Sequence, residues 1–193
     1  RKLGTVTQDT LPWIYKTEIP AREGEYALTE EPFCGVLTAV DIDAGEPGEY
    51  LRKAVAVAND LMWGSLACMI TIDPRTQKRH KEAFEKALRD LRYGAIGVNL
   101  WAGVAYGLGS TSWGAFPGNP ATAIESGVGS VHNALMIDHP QKSVVYAPFV
   151  CFPRPPWFPN HKMLNPLGPA MTDLERAPGV LSFLRVLSIG LRG

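Results

Sequence analysis

Cysteine is scarce in this chain: three in 193 residues, with no pair in CxxC spacing. Three thiols cannot complete a disulfide framework, which speaks against a disulfide-stapled secreted scaffold and a zinc ribbon, and a reducing, cytoplasmic setting is expected. A surplus of either charge is missing too, with 19 Lys plus Arg against 19 Asp plus Glu. Sequence-independent nucleic-acid binders need a cationic excess to neutralise phosphates, so no nucleic-acid partner is expected. Long apolar runs are lacking. The longest, around residues 144–152 and 180–191, are short or interrupted, and Arg185 sits inside the second, so no membrane span is expected. No basic stretch leads into an apolar signal core. Several chemical signatures are absent as well: GxxxxGK[ST], GxSxG and HExxH do not occur, and Gly127-Val128-Gly129 is not completed to GxGxxG because His132 takes the sixth place. The chain opens on Arg1-Lys2 rather than Met, which raises the expectation that it is a piece of a longer protein.

What is present is an ordinary globular composition, 46% hydrophobic and 20% charged. A chain of this length can bury about 70% of its unfolded surface. The run Val36-Leu37-Thr38-Ala39-Val40 has β character and ends in the turn formers Gly45-Glu46-Pro47-Gly48. Leu51, Ala54, Val55 and Ala58 recur on one helical face. Residues 66–72 are apolar except Thr71, which predicts a strand buried on both faces, broken by Asp73-Pro74. Ala83, Phe84, Ala87, Leu88 and Leu91 form a second helical stripe, with Gly94 as its stop and residues 95–100 as the next strand. Strand, helix, strand, helix, strand over residues 36–100 predicts an α/β fold with a parallel sheet and flanking helices. Residues 101–130 are rich in Gly, Ser, Trp and Pro, the texture of a functional loop. A strand is expected over 143–149, extended chain through Pro148, Pro153, Pro155, Pro156 and Pro159, and a short helix near the C-terminus. The polar side of residues 180–191 holds only Arg185 and Arg192, which predicts packing against the protein rather than on a membrane surface.

Isolated reactive groups carry little. His80, His132, His139 and His161 have no ligand-like spacing with cysteine, and no metal site is expected. Cys68 lies in an apolar run and Cys151 among aromatic and Pro residues, the pattern of packed thiols. Cys34 lies on a turn without a basic neighbour to depress its pKa, so packing is preferred over catalysis. Trp101, Tyr106, Trp113 and Phe116 read first as rings packing the Gly-rich loop, and second as walls of an apolar tunnel.

Four blocks, taken in order, go further. Glu30-Glu31-Pro32-Phe33-Cys34-Gly35-Val36 resembles the Glu-Glu-x-Phe-Gly-Pro-Val motif of the aldehyde dehydrogenase superfamily. Ala58-Asn59-Asp60 with Trp63-Gly64-Ser65-Leu66 is similar to that family's Ala-Asn-Asp-Thr-x-Tyr-Gly-Leu. Arg92 to Asn99 looks like its Leu-x-x-Gly-x-Val-x-Val-Asn, and Trp113-Gly114-Ala115 with the run to Gly129 looks like its Pro-Phe-Gly-Gly-x-Lys-x-Ser-Gly region. The match covers about residues 11–149.

The resemblance implies a Rossmann-like α/β architecture in which residues 1–142 are the C-terminal half of a catalytic domain. Residues 143–149 would be a strand that adds to a neighbouring subunit's sheet, giving a homodimer or tetramer, and residues 150–193 a Pro-rich C-terminal extension without counterpart. It implies NAD or NADP as cofactor and a small-molecule aldehyde as substrate. Glu31 matches the residue that holds the nicotinamide ribose and Phe33 the one near the nicotinamide ring. Asn99 matches the Asn before the substrate-entrance loop, and Trp113 falls where a Phe lines the aldehyde tunnel. The family's Cys nucleophile, Glu base and dinucleotide-binding domain lie upstream of these blocks. No catalytic residue is therefore expected within the chain, which alone is expected to be inactive. Cys34 replaces a motif Gly and Gly35 a Pro. The Lys and Ser of the Gly-rich region have no match. The other reading of the same residues is a non-catalytic oligomerisation module derived from that fold.

Overall fold

The protein is described by a computed structural model, which covers residues 2, 3, 7, 9, 11–132, 136–155, 158 and 161–193. Pro156 and Pro159, expected in extended chain, lie outside the described residues. The chain divides into two compact units, Arg1–Tyr146 and Ala147–Gly193. The first runs β1 (Lys2–Leu3), β2 (Trp13–Lys16), α1 (Tyr26–Thr29), β3 (Val36–Thr38), α2 (Pro47–Asp60), β4 (Ala67–Ile70), α3 (Pro74–Arg79), α4 (Lys81–Asp90), β5 (Ala95–Val98), α5 (Val104–Leu108), β6 (Trp113–Gly114), β7 (Ser130–Val131) and β8 (Ser143–Tyr146). The second holds α6 (Leu164–Arg176) and α7 (Val180–Gly190).

The central sheet is parallel throughout, in the order β4-β5-β8, with Cys68 opposite Ile96 and Ile96 opposite Val144. Even-numbered side chains of these strands join the stripe of α4 and the inner face of α2 in one core built around Phe84, Ile96 and Val98. α2 starts at Pro47, whose missing N–H costs nothing in a first turn. α3 starts where Asp73 Oδ1 accepts from the backbone N–H of Arg75 at 2.9 Å and of Thr76 at 3.1 Å.

At the far end of α4, Lys142 Nζ donates to the carbonyls of Arg89, at 2.8 Å, of Leu88, at 3.1 Å, and of Leu91. A cation there answers both the unpaired carbonyls and the negative end of the helix dipole. Burial pulls the Lys142 ammonium below its ordinary value, against the opposing pull of Cys68 and Asp90.

Two expectations change. β3 does not enter the sheet of β4 and β5. It pairs in parallel with β2 in a separate sheet, β1-β2-β3, where Ile14 N–H donates to the Gly35 carbonyl at 2.7 Å. Periodicity marks a strand but carries no information on its partner. β4 is not buried on both faces either: Met69 is 56% exposed, because β4 is an edge strand and only Cys68 and Ile70 face the core. Burial on both faces belongs to β5, where all four residues are buried.

In the second unit α6 and α7 pack as a hairpin over Leu167, Ala170 and Ile189, with Met163 and Val186 against them. No helix among the described residues is long and apolar enough to cross a membrane.

Candidate functional site

The Gly-rich segment after β5 folds back along β4 and creates a cleft of about 570 Å3. Its walls include Met69 of β4, Trp101 and Tyr106 around α5, Trp113 of β6, and Glu31. Each wall has a local cause. Glu31 leaves the chain just past α1, which closes when Glu30 N–H donates to the Tyr26 carbonyl at 3.1 Å. α1 is itself tied to the loop after α2 by Trp63 N–H donating to the Leu28 carbonyl at 2.8 Å. Trp113 is set by pairing with Val131 on β7. The Tyr106 ring meets it edge-on, with centroids 5.7 Å apart and planes at 71°. On its other flank Tyr106 meets the His132 imidazole at 4.9 Å. His132 sits at φ 60°, and its buried Nδ1 has no hydrogen-bond partner among the described residues.

The chemistry of this cleft is aromatic faces and one carboxylate. No Lys or Arg is among its lining residues. It can therefore hold an uncharged ring and accept hydrogen bonds from hydroxyls, but it offers no cation to a phosphate. A second cleft, of about 360 Å3 between α2 and β4, is lined by Leu51, Val55 and Ile72. Its carboxylate, Asp73, is already committed to the N-terminus of α3.

Of the four residues singled out by motif, Glu31 and Trp113 share the cleft, while Phe33 and Asn99 are not among its walls. Phe33 is 94% exposed. Asn99 closes the central sheet: at φ 60° it turns back, and its Oδ1 accepts from the backbone N–H of Ile72 at 2.8 Å. Asn59, in the second motif block, is likewise structural, since its Oδ1 accepts from the Arg92 N–H at 2.8 Å and its Nδ2 donates to the Asp90 carbonyl at 2.9 Å. Trp101 and Tyr106, read first as packing, are more than half exposed and wall the cleft. His132 was missed: its contact with Tyr106 crosses the loop, and no local spacing signals it.

Cys68 is the one thiol at the cleft. Burial pushes it up to about 12, partly offset by Lys142, so at neutral pH it is a thiol and not a nucleophile. Cys34 is exposed, and Cys151 donates to the Pro148 carbonyl at 3.2 Å. Iodoacetamide at neutral pH is therefore expected to label Cys34 first and to spare Cys68 until the chain is denatured. Peptide mass mapping checks this, and early labelling of Cys68 would contradict its burial. Among the described residues no group of three or more His, Cys, Asp or Glu is placed to hold a metal ion.

These features define a mixed α/β protein with a parallel sheet and flanking helices. Comparison with protein-family models, with curated proteins and with solved structures returns no match.

Proposed function

We propose that the chain supplies part of an NAD(P)-dependent aldehyde dehydrogenase, namely the seat for the nicotinamide ribose and one wall of the aldehyde tunnel. One observation carries the reading: Glu31 and Trp113, far apart in sequence and matched to two different motifs, line the same cleft beside the parallel sheet. Glu31 would hold NAD or NADP by its ribose, and the bound nicotinamide would supply hydride-acceptor chemistry. The Glu31 carboxylate accepts hydrogen bonds from the ribose hydroxyls and fixes the position of the ring beside the reacting carbon. Trp101, Tyr106 and Trp113 present apolar faces to the aldehyde and keep water away. The thiolate and the base that activates water come from outside this chain, in agreement with the high pKa of Cys68. The diphosphate is held elsewhere too, because no Lys or Arg lines the cleft among the described residues. The outer edge of β8, which pairs on one side with β5, is the surface that would add to a neighbouring subunit.

The test is the Glu31→Gln substitution in the natural protein, assayed by aldehyde-dependent formation of NADH or NADPH. Turnover is expected to fall about tenfold or more, because a misplaced ring loses orientation rather than binding. Wild-type kcat and KM for both substrates would overturn the assignment.

A further inference from the structure

The expectation that residues 180–191 pack against the protein holds for one face of α7 only, because the helix is apolar on two opposite faces. Val186 and Ile189 face α6 and pack the hairpin. On the other side Val180, Leu184, Leu187 and, just past the helix end, Leu191 recur at the i, i+4, i+7, i+11 spacing of one stripe, and all four are exposed. Phe183 is exposed beside them. Arg185 and Arg192, one heptad apart, lie on the flank of α7 between this stripe and the face packed on α6. Arg185 Nη1 reaches Asp173 Oδ2 at 3.0 Å and Arg192 Nη2 reaches Ser188 Oγ at 3.2 Å.

Charge identifies what covers the stripe. The chain as a whole is neutral, but the unit from Ala147 onward holds Arg154, Lys162, Arg176, Arg185 and Arg192 against only Asp173 and Glu175. No side chain from Val180 to Gly193 carries a carboxylate. Asp173 of α6 already answers Arg185, but the unit still holds more cations than carboxylates, so a second copy of α7 laid on this stripe would set one cationic unit against another. A surface of anionic headgroups over acyl chains answers both features, taking the leucines below and the arginines at phosphate level. An 11-residue helix is about 16 Å long at 1.5 Å per residue, about half a hydrocarbon core, so it lies in the interface and does not cross it.

We propose that the C-terminal helical hairpin docks this chain on an anionic lipid surface through the outer stripe of α7. This stands apart from the dehydrogenase reading, since the residues belong to the second unit and no turnover is involved.

The test is co-sedimentation of the full chain with vesicles of mixed phosphatidylserine and phosphatidylcholine, and with vesicles of phosphatidylcholine alone. Binding is expected to the mixed vesicles and to weaken with salt. Leu184→Glu and Leu187→Glu, both at exposed positions, are expected to lower the partition coefficient about tenfold or more, and Arg192→Glu, a polar exchange that leaves the hairpin core untouched, several-fold. Far-UV circular dichroism verifies that each variant keeps its helices. No binding to mixed vesicles, or binding unchanged by all three substitutions, overturns the proposal. A dimer in solution that Leu187→Glu dissociates, without vesicle binding by the wild-type chain, overturns it in favour of a second copy.

Discussion

Raising the pH from 9 to 12 is expected to strip stability from the first unit, starting near the ordinary thiol pKa. Cys68 has its pKa raised by burial from 9.0 to about 12, and Tyr93 by burial and by the neighbouring Cys68 from 10.0 to about 12. Below pH 9 the thiol keeps its proton in both folded and unfolded chains, so its contribution is fully present. Between 9 and 12 the unfolded chain loses that proton while the folded chain retains it, and stability falls as pH rises. Tyr93 acts in the same direction from pH 10, and its ionisation also removes the O–H that donates to the Ala58 carbonyl at 3.0 Å. Lys142 opposes them: its lowered pKa means the folded chain gives up the ammonium proton first, so stability rises with pH between that lowered value and 10.5. Above 10.5 Lys142 no longer opposes them, while the thiol and the phenol still act up to about 12. Cys68 is half-buried, so after discounting for solvent its share is on the order of 3 kcal/mol. That is a large part of the stability of a domain this size. A pH titration followed by circular dichroism, with thiolate and tyrosinate absorbance read in parallel, checks it. Cys68→Ala is expected to move the alkaline midpoint upward. Unfolding that begins well below pH 9, or a midpoint indifferent to Cys68→Ala, would contradict the linkage.

The same residues show how much of the fold was legible in the sequence. The helical stripes of α2 and α4 and the apolar strands β4, β5 and β8 are local patterns, and each is found at its expected place, though all three strands are shorter than expected and β8 stops at Tyr146 rather than running to 149. Partners are not local. β3 reads like β4, yet it sits in another sheet because β2 is there to take its hydrogen bonds. α6 escaped notice because Pro166, Gly168 and Pro169 interrupt its pattern, although Leu167 and Ala170 still carry its buried face. Asn99 shows the limit for the site. Its motif places it at the end of the strand before the entrance loop, and there its αL turn and the Oδ1 bond to Ile72 N–H are tertiary features that no local pattern announces. Glu31 and Trp113 were legible as types, whereas their meeting in one cleft depends on β6–β7 and α1, both too short to leave a period.

Gly94→Ala is expected to be as damaging as the alkaline shift. The residue reads in sequence as a helix stop, but α4 already ends at Asp90, with its cap at Leu91. The structure requires glycine for a different reason. A Cβ at this position would lie 1.8 Å from the Gly114 carbonyl oxygen and 2.9 Å from the Ala115 carbonyl carbon. Both are backbone atoms, so no side-chain rotation relieves the clash. Nor can Gly94 move away. Its N–H donates to the Ser65 carbonyl at 2.9 Å and its carbonyl accepts from the Ser143 N–H at 2.9 Å, so it joins the approaches to β4, β5 and β8. Gly114 must yield, and it is itself close to the Gly129 carbonyl and Ser130 across the β6–β7 pair. The cost is about 3 kcal/mol, at the upper end for overpacking. Urea unfolding reads it directly. Gly107→Ala in α5 is the control: a Cβ there meets nothing within 4 Å, so its effect is expected to be neutral to mildly stabilising. Because Trp113 precedes Gly114 and walls the cleft, a Gly94→Ala chain that still folds is also expected to change its near-UV circular dichroism. A variant that unfolds within about 0.5 kcal/mol of wild type, with that signal unchanged, would remove the close contact between Gly94 and β6 on which the placement of Trp113 rests.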